Sequence, residues 1–241
     1  MSRADELAHA LGSVRERVRR AERAAGRSEG SVRLVAVSKT MPAEDVLAAL
    51  AAGQRDFGEN YAQELRDKRA AVAAAPGGGE ARWHFIGPLQ SNKVKYLAGQ
   101  VALLHTLDTP ELCAEVERRL AAAGAPVQEC LVQVNVAGEA QKRGAAPAAV
   151  PALLDRFAEL PHLRCVGLML IPPLGDDPET GRPHFAALRR LRDAEARRPR
   201  PQVALAHLSM GMSHDLEVAI AEGATLVRVG TAVFGARAMK P

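Results

Sequence analysis

Eight times along the chain a short apolar run is followed, after a Gly, Pro, Asp or Asn, by an Ala- and Leu-rich stretch with helical spacing. Unbroken apolar runs suit strands covered on both faces, and alternation with helices suits parallel pairing. The runs fall at 33–37, 54–57, 83–86, 103–106, 130–135, 164–169, 205–208 and 226–229. They predict an α/β chain: a single-domain (β/α)8 TIM barrel over residues 1–241 with an extra N-terminal helix. An aromatic share of 3% leaves the core to Ala, Val and Leu, which lets helices lie close on a sheet. Because the run at 54–57 is short and polar, a doubly wound open sheet is the alternative. The Gly-x-Gly-x-x-Gly turn that usually marks such a sheet is absent after the first strand.

Leu7, Leu11, Val14 and Val18 form one stripe of the N-terminal helix. Asp5, Glu6, Glu16 and Glu22 interrupt its arginines and no apolar segment follows, which argues against a targeting peptide. No run approaches the roughly 20 apolar residues that span a membrane, so a soluble protein is expected. Cys113, Cys130 and Cys165 are odd in number and far apart, and read as buried reduced thiols of a cytoplasmic protein. Lys and Arg number 32 against 28 Asp and Glu, interspersed, so a nucleic-acid partner is not expected. The cluster Arg189, Arg190, Arg192, Arg197, Arg198 and Arg200, broken by Asp193 and Glu195, reads as a solvated helix face. Pro76-Gly77-Gly78-Gly79 precedes a strand and reads as a flexible loop, not a phosphate cradle. No metal site is expected.

Barrel chemistry gathers at strand C-termini and the loops after them. Lys39 follows the first strand, where low-dielectric surroundings ease the deprotonation that imine formation with an aldehyde requires. The bland alternative is a loop lysine paired with a carboxylate. Asn60 follows strand 2, Asp108 and Thr109 follow strand 4, and Asn135 ends strand 5. After strand 7, Ser209, Gly211 and Ser213 can bring hydroxyls and backbone amides to a phosphate, and after strand 8 Gly230 and Thr231 can do the same. Helix capping is the competing role, and for Ser213 the expected one. A lysine and a phosphate cradle at opposite ends of one small molecule fit pyridoxal 5'-phosphate. Arg228 has the strand parity to face its pyridine nitrogen and, being unable to give up a proton readily, would keep that nitrogen unprotonated. A buried salt bridge to a neighbouring strand is the other role open to Arg228.

Six ordered motifs then carry a resemblance: Ala36-Val37-Ser38-Lys39-Thr40, Phe57-Gly58-Glu59-Asn60-Tyr61, the stretch from Trp83 to Lys93, Gly167-Leu168-Met169, Leu208-Ser209-Met210-Gly211-Met212-Ser213, and Val229-Gly230-Thr231-Ala232-Val233-Phe234-Gly235. Over nearly its whole length the chain resembles the pyridoxal phosphate homeostasis proteins, also called YggS-type or proline synthetase co-transcribed homologues. The resemblance implies a fold like the barrel domain of alanine racemase and a Schiff base through Lys39. It also implies phosphate contacts from Ser209, the backbone of Met210 and Gly211, and Gly230 and Thr231, with Asn60 beside the cofactor and Arg228 near its ring nitrogen. Such proteins are regarded as carriers or regulators in intracellular pyridoxal phosphate homeostasis, with apo-enzymes as possible recipients and without clear turnover. Leu170, His214 and the loop Gln141-Lys142-Arg143-Gly144 depart from the family pattern. Leu170 is expected to narrow the site mouth; Lys142 reads as a surface lysine, with a secondary site for a phosphate-bearing ligand as its other reading.

The alternative function is a pyridoxal phosphate-dependent racemase-type enzyme, which needs a second acid/base opposite the lysine. Tyr61 and Tyr96 are the two tyrosines, and Tyr61 is the one catalytic candidate, its bland role being to pack on its own helix. A monomer is expected by analogy, since racemase dimers use a second domain.

Overall fold

The computed structural model describes residues 1–139, 141–173 and 175–236. Eight parallel strands pair in chain order and close into a barrel, β1 (Arg33–Val37) meeting β8 (Leu226–Val229). Between them lie β2 (Asp56–Glu59), β3 (Arg82–Phe85), β4 (Leu103–Leu107), β5 (Gln128–Gln133), β6 (Leu163–Met169) and β7 (Val203–Ser209). The helices are α1 (Arg3–Ala24), α2 (Ala43–Ala51), α3 (Ala62–Ala73), α4 (Pro110–Ala123), α5 (Val150–Asp155), α6 (Arg182–Ala196), α7 (Leu216–Ala221) and α8 (Thr231–Phe234). The open-sheet alternative falls, because both edge strands find partners. After β3 the crossover is a single 3-10 segment, Ser91–Tyr96, instead of an α-helix.

The extra helix starts where its sequence says it should. Ser2 accepts from the Asp5 amide while the Asp5 carboxylate accepts from the Ser2 amide, a reciprocal cap on α1. Its stripe of Leu7, Leu11, Val14 and Val18 is buried against α2, α7 and α8. Each fully buried leucine stabilises by roughly 1.5–3 kcal/mol. In the same way Thr109 accepts from the Leu112 amide to open α4, and Gly124 at φ 56° ends it. Val35, Leu103, Leu131, Val166, Met169 and Leu226 fill the barrel as a core separate from the layer between strands and helices.

Four local expectations change. The second strand begins at Asp56 because the Gln54 amide is turned inward, donating to the carbonyls of Leu34 and Asp56. β5 stops at Gln133, so Asn135 lies in the loop beyond it, its side chain donating to the carbonyls of Glu139 and Lys142. Residues 76–79 are an ordered turn: Gly78 is buried where a Cβ would stand 1.7 Å from the Val72 carbonyl oxygen. Arg200 is not solvated; its buried guanidinium bridges Asp155 and Glu195, each at 2.5 Å. The three cysteines are buried thiols, Cys113 pushed up to about 12 chiefly by burial. Among the described residues no helix is long and apolar enough to cross a membrane.

Candidate functional site

At the C-terminal mouth a cavity of about 330 Å³ is lined by Val37, Lys39, Asn60, Ile86, Ile171, Met212, Ser213, His214, Arg228, Gly230 and Thr231. It joins a second cavity of about 300 Å³ through the shared walls Asn60, Ile86 and Ile171. A larger groove of about 580 Å³ lies outside the barrel between α1 and α7, and gathers alanines, the surface Arg20 and the Arg17–Glu217 ion pair. Convergent polar groups therefore select the barrel mouth.

Lys39 sits in a turn that is held from several sides. The Ser38 amide donates to the Gly58 carbonyl, and the Ser38 carbonyl accepts from both the Met41 amide and Lys68 Nζ, the latter at 2.7 Å. Ser38 Oγ donates to Glu59 Oε1 at 2.7 Å, and the Thr40 amide donates to Glu64 Oε1 at 2.5 Å. Thr40 adopts φ 66°, a conformation costly for a β-branched residue and sustained here by those bonds. Burial, partly offset by Lys68 and Ser38, holds the Glu59 carboxyl above its ordinary range.

Asn60 is set by a close backbone approach: a Cβ on Gly87 would stand 2.1 Å from the Asn60 carbonyl oxygen. Asn60 Oδ1 is buried with no hydrogen-bond partner among the described residues. A buried unsatisfied acceptor on a cavity wall marks a place for a ligand donor.

Arg228 is 4% exposed, and its charge faces no carboxylate within ion-pair distance among the described residues. Nη1 donates to Ser209 Oγ at 2.7 Å and Nη2 to the Leu170 carbonyl at 2.9 Å. Burial, opposed by Asp215, brings it down to about 10, so it stays a cation at neutral pH. The salt-bridge role is thereby set aside.

Of the sequence candidates, the fold brings Lys39, Asn60, Arg228, Gly230 and Thr231 into one cavity. Ser209, Met210 and Gly211 are not on its wall. Ser209 is the last residue of β7 and points inward to Arg228 and His105. The Met210 amide donates to Leu226, and the Gly211 carbonyl accepts from the Arg228 amide. Gly211, at φ 90°, is needed because a Cβ would come within 2.5 Å of Ala219 Cβ, a packing reason. Ser213 lines the cavity and does not cap its own helix; its Oγ accepts from the Ala232 amide at 3.4 Å, at the start of α8. Arg17 on α1 donates to the Ser213 carbonyl at 3.1 Å, tying the N-terminal helix to this loop.

Tyr61 is 55% exposed and lines a neighbouring depression with Lys93 and Arg143. The Leu170 side chain is buried away from the mouth, so it does not narrow it; its carbonyl serves Arg228. Lys142 is no simple surface lysine, for it lines the second cavity and donates to the Pro172 carbonyl. Sequence reading missed His84 and His105, both fully buried. The available signal was a histidine within each of the mainly apolar strands β3 and β4.

A family model described as "Alanine racemase, N-terminal domain" matches residues 10–238. The pyridoxal phosphate homeostasis protein of Aquifex aeolicus is 46% identical over 227 residues, covering 94% of this chain and 96% of that protein. Its counterpart in Pseudomonas aeruginosa is 47% identical over 232 residues, covering 96% of each. Among solved structures, PipY of Synechococcus elongatus with pyridoxal phosphate bound is 35% identical with a TM-score of 0.81, covering 95% of this chain and 100% of that one.

Proposed function

This chain belongs to the family of pyridoxal phosphate homeostasis proteins, built on the alanine racemase N-terminal domain, and from that premise we propose that it binds pyridoxal 5'-phosphate at the barrel mouth and serves in the intracellular homeostasis of that cofactor. The observation that carries the reading is the convergence, in one cavity, of a lysine in a rigid turn, a buried arginine with only neutral partners, and the unsatisfied Asn60 oxygen. When bound, the cofactor supplies an aldehyde that condenses with a lysine amine and releases water.

Lys39 is the amine in position to hold it. Gly230, Thr231 and Ser213 offer the backbone approach and hydroxyls for a phosphate group, and Asn60 accepts a hydrogen bond from the ligand. Arg228, a donor that keeps its proton, suits an unprotonated ring nitrogen and favours storage over carbanion chemistry. A carrier role toward apo-enzymes, a monomeric state and a cytoplasmic location belong to the same proposal; three buried thiols support the last. A racemase reading gains nothing from the site, since neither tyrosine lines the cavity.

The test is an absorbance spectrum of the purified protein with pyridoxal phosphate before and after borohydride, with Lys39→Ala alongside and peptide mapping. A visible band reduced onto Lys39 is expected. No band after incubation with the cofactor, or an unchanged band in Lys39→Ala, overturns the reading.

A further inference from the structure

A continuous hydrogen-bonded chain crosses the barrel interior from one mouth to the other. Arg82, at the N-terminal end of β3 with a half-exposed side chain, donates to Asp56 Oδ2 at 2.6 Å. Asp56 Oδ1 lies 2.9 Å from His84 Nε2, His84 Nδ1 lies 2.9 Å from His105 Nε2, and His105 Nδ1 lies 2.9 Å from Ser209 Oγ. Ser209 Oγ then accepts from Arg228 at 2.7 Å, and Arg228 lines the cavity.

With both rings neutral, the carboxylate end fixes every proton along the chain. Burial is the main influence holding both histidines below the ordinary value, which favours the neutral form. A carboxylate only accepts, so His84 carries its proton on Nε2 and donates to Asp56, and its Nδ1 lone pair accepts from His105 Nε2. His105 Nδ1 then offers a lone pair to the Ser209 hydroxyl, whose oxygen accepts from Arg228. Any other neutral pattern would aim a lone pair at the carboxylate or set two lone pairs face to face. The charged or titratable groups facing His84 are Asp56, His105, Arg33 and Arg82; those facing His105 are His84, Arg228, His207 and Arg33.

We infer that Asp56, His84, His105 and Ser209 form a one-way relay of hydrogen bonds that positions Arg228 in the cavity, so that a carboxylate at the far mouth steadies a buried cation it does not touch. A freely rotating Ser209 hydroxyl would offer Arg228 its lone pair only part of the time. The relay locks it, as polarised chains in a low-dielectric interior do. His84 and His105 are positioning residues: they act on a bound pyridine aldehyde only through Arg228. The ligand half of this inference rests on the function proposed above.

Two measurements test it. Long-range 1H–15N correlation spectra of the ligand-free protein read the tautomers directly; both rings should be neutral with hydrogen on Nε2 from about pH 5.5 to about 8, a range that brackets the ordinary histidine value near 6.5. An Nδ1–H tautomer, or a ring titrating at its ordinary value, overturns the relay whether or not any ligand binds. In the second, pyridoxal phosphate affinity is compared for the native protein, His105→Leu, Arg228→Lys and the double variant, with far-UV circular dichroism as the check on folding. His105→Leu should weaken binding about tenfold in the native background and less than about twofold on Arg228→Lys. Equal losses in both backgrounds would mean His105 is merely structural. Intact native tautomers in a protein that takes up no cofactor would instead sink the functional reading and with it the ligand half of the inference.

Discussion

Lys68 reaches Glu59 across 2.6 Å inside the barrel wall, and the same ammonium holds the Ser38 carbonyl at 2.7 Å, so a buried ion pair anchors the turn that carries Lys39. Glu64 completes the cluster, accepting from Lys68 at 2.8 Å and from the Thr40 amide.

Lys68→Met should destabilise the protein by about 3–5 kcal/mol, because it leaves the buried Glu59 carboxyl without its cation, to bear an uncompensated charge or take up a proton. Adding Glu59→Gln should recover a large part of that loss by removing the orphaned charge. Urea unfolding of the three variants checks this. A single variant within about 0.5 kcal/mol of the native protein would show that water reaches the pair.

Acid should destabilise the fold before carboxylates titrate. His84 and His105 have folded values below the unfolded value, which is near 6.5. The unfolded chain thus takes up protons that the folded one refuses, and stability present above that pH is lost as pH falls through it. A ring that stays neutral in the fold contributes a slope of at most about 1.4 kcal/mol per pH unit, so the pair gives up to about 2.7 between roughly pH 6 and 5. Unfolding free energy measured across that interval should show it, with the slope roughly halved in His84→Phe.

Gly87→Ala places a methyl 2.1 Å from the Asn60 carbonyl oxygen. The loops after β2 and β3 must part, at a cost of about 1–3 kcal/mol, and Asn60 leaves its place on the cavity wall. Melting temperature should fall and pyridoxal phosphate affinity with it. Reduced stability with unchanged affinity would remove Asn60 from the site.

Arg17→Ala cuts the hydrogen bond from α1 to the Ser213 carbonyl and the ion pair to Glu217. The exposed pair itself is worth under about 1 kcal/mol, so global stability should barely change. Phosphate-dependent affinity should weaken about threefold to tenfold, a loss of about 0.7–1.4 kcal/mol. Comparing pyridoxal phosphate with pyridoxal separates the cradle from the lysine, since pyridoxal binding should be indifferent to this change.

Much of this architecture is legible along the chain because it depends on local patterns. β1 and β8 run over the same residues that the apolar runs mark, and the Leu7, Leu11, Val14 and Val18 stripe is the buried face of α1. The period of burial and the preference of glycine and proline for turns are properties of neighbours in sequence. They were enough for the closed barrel and for Lys39, Asn60, Arg228, Gly230 and Thr231 at its mouth.

Which of the two serines, Ser209 at the end of β7 or Ser213 in the loop after it, faces the cavity was decided only by tertiary structure. Ser209 and Ser213 have the same chemistry, but strand register turns Ser209 inward, where His105 and Arg228 take its hydroxyl. The same holds for the histidines: His84 and His105 are 21 positions apart, the pairing of β2, β3 and β4 brings their facing nitrogens to 2.9 Å and aligns them with Asp56, and only barrel closure brings His105 to Ser209 on β7. Sequence by itself determined the elements, the barrel and the lysine that ends its first strand. The hydrogen-bond network that orients Arg228 could not be read from it, because such bonds depend on distances that exist only once all eight strands have closed.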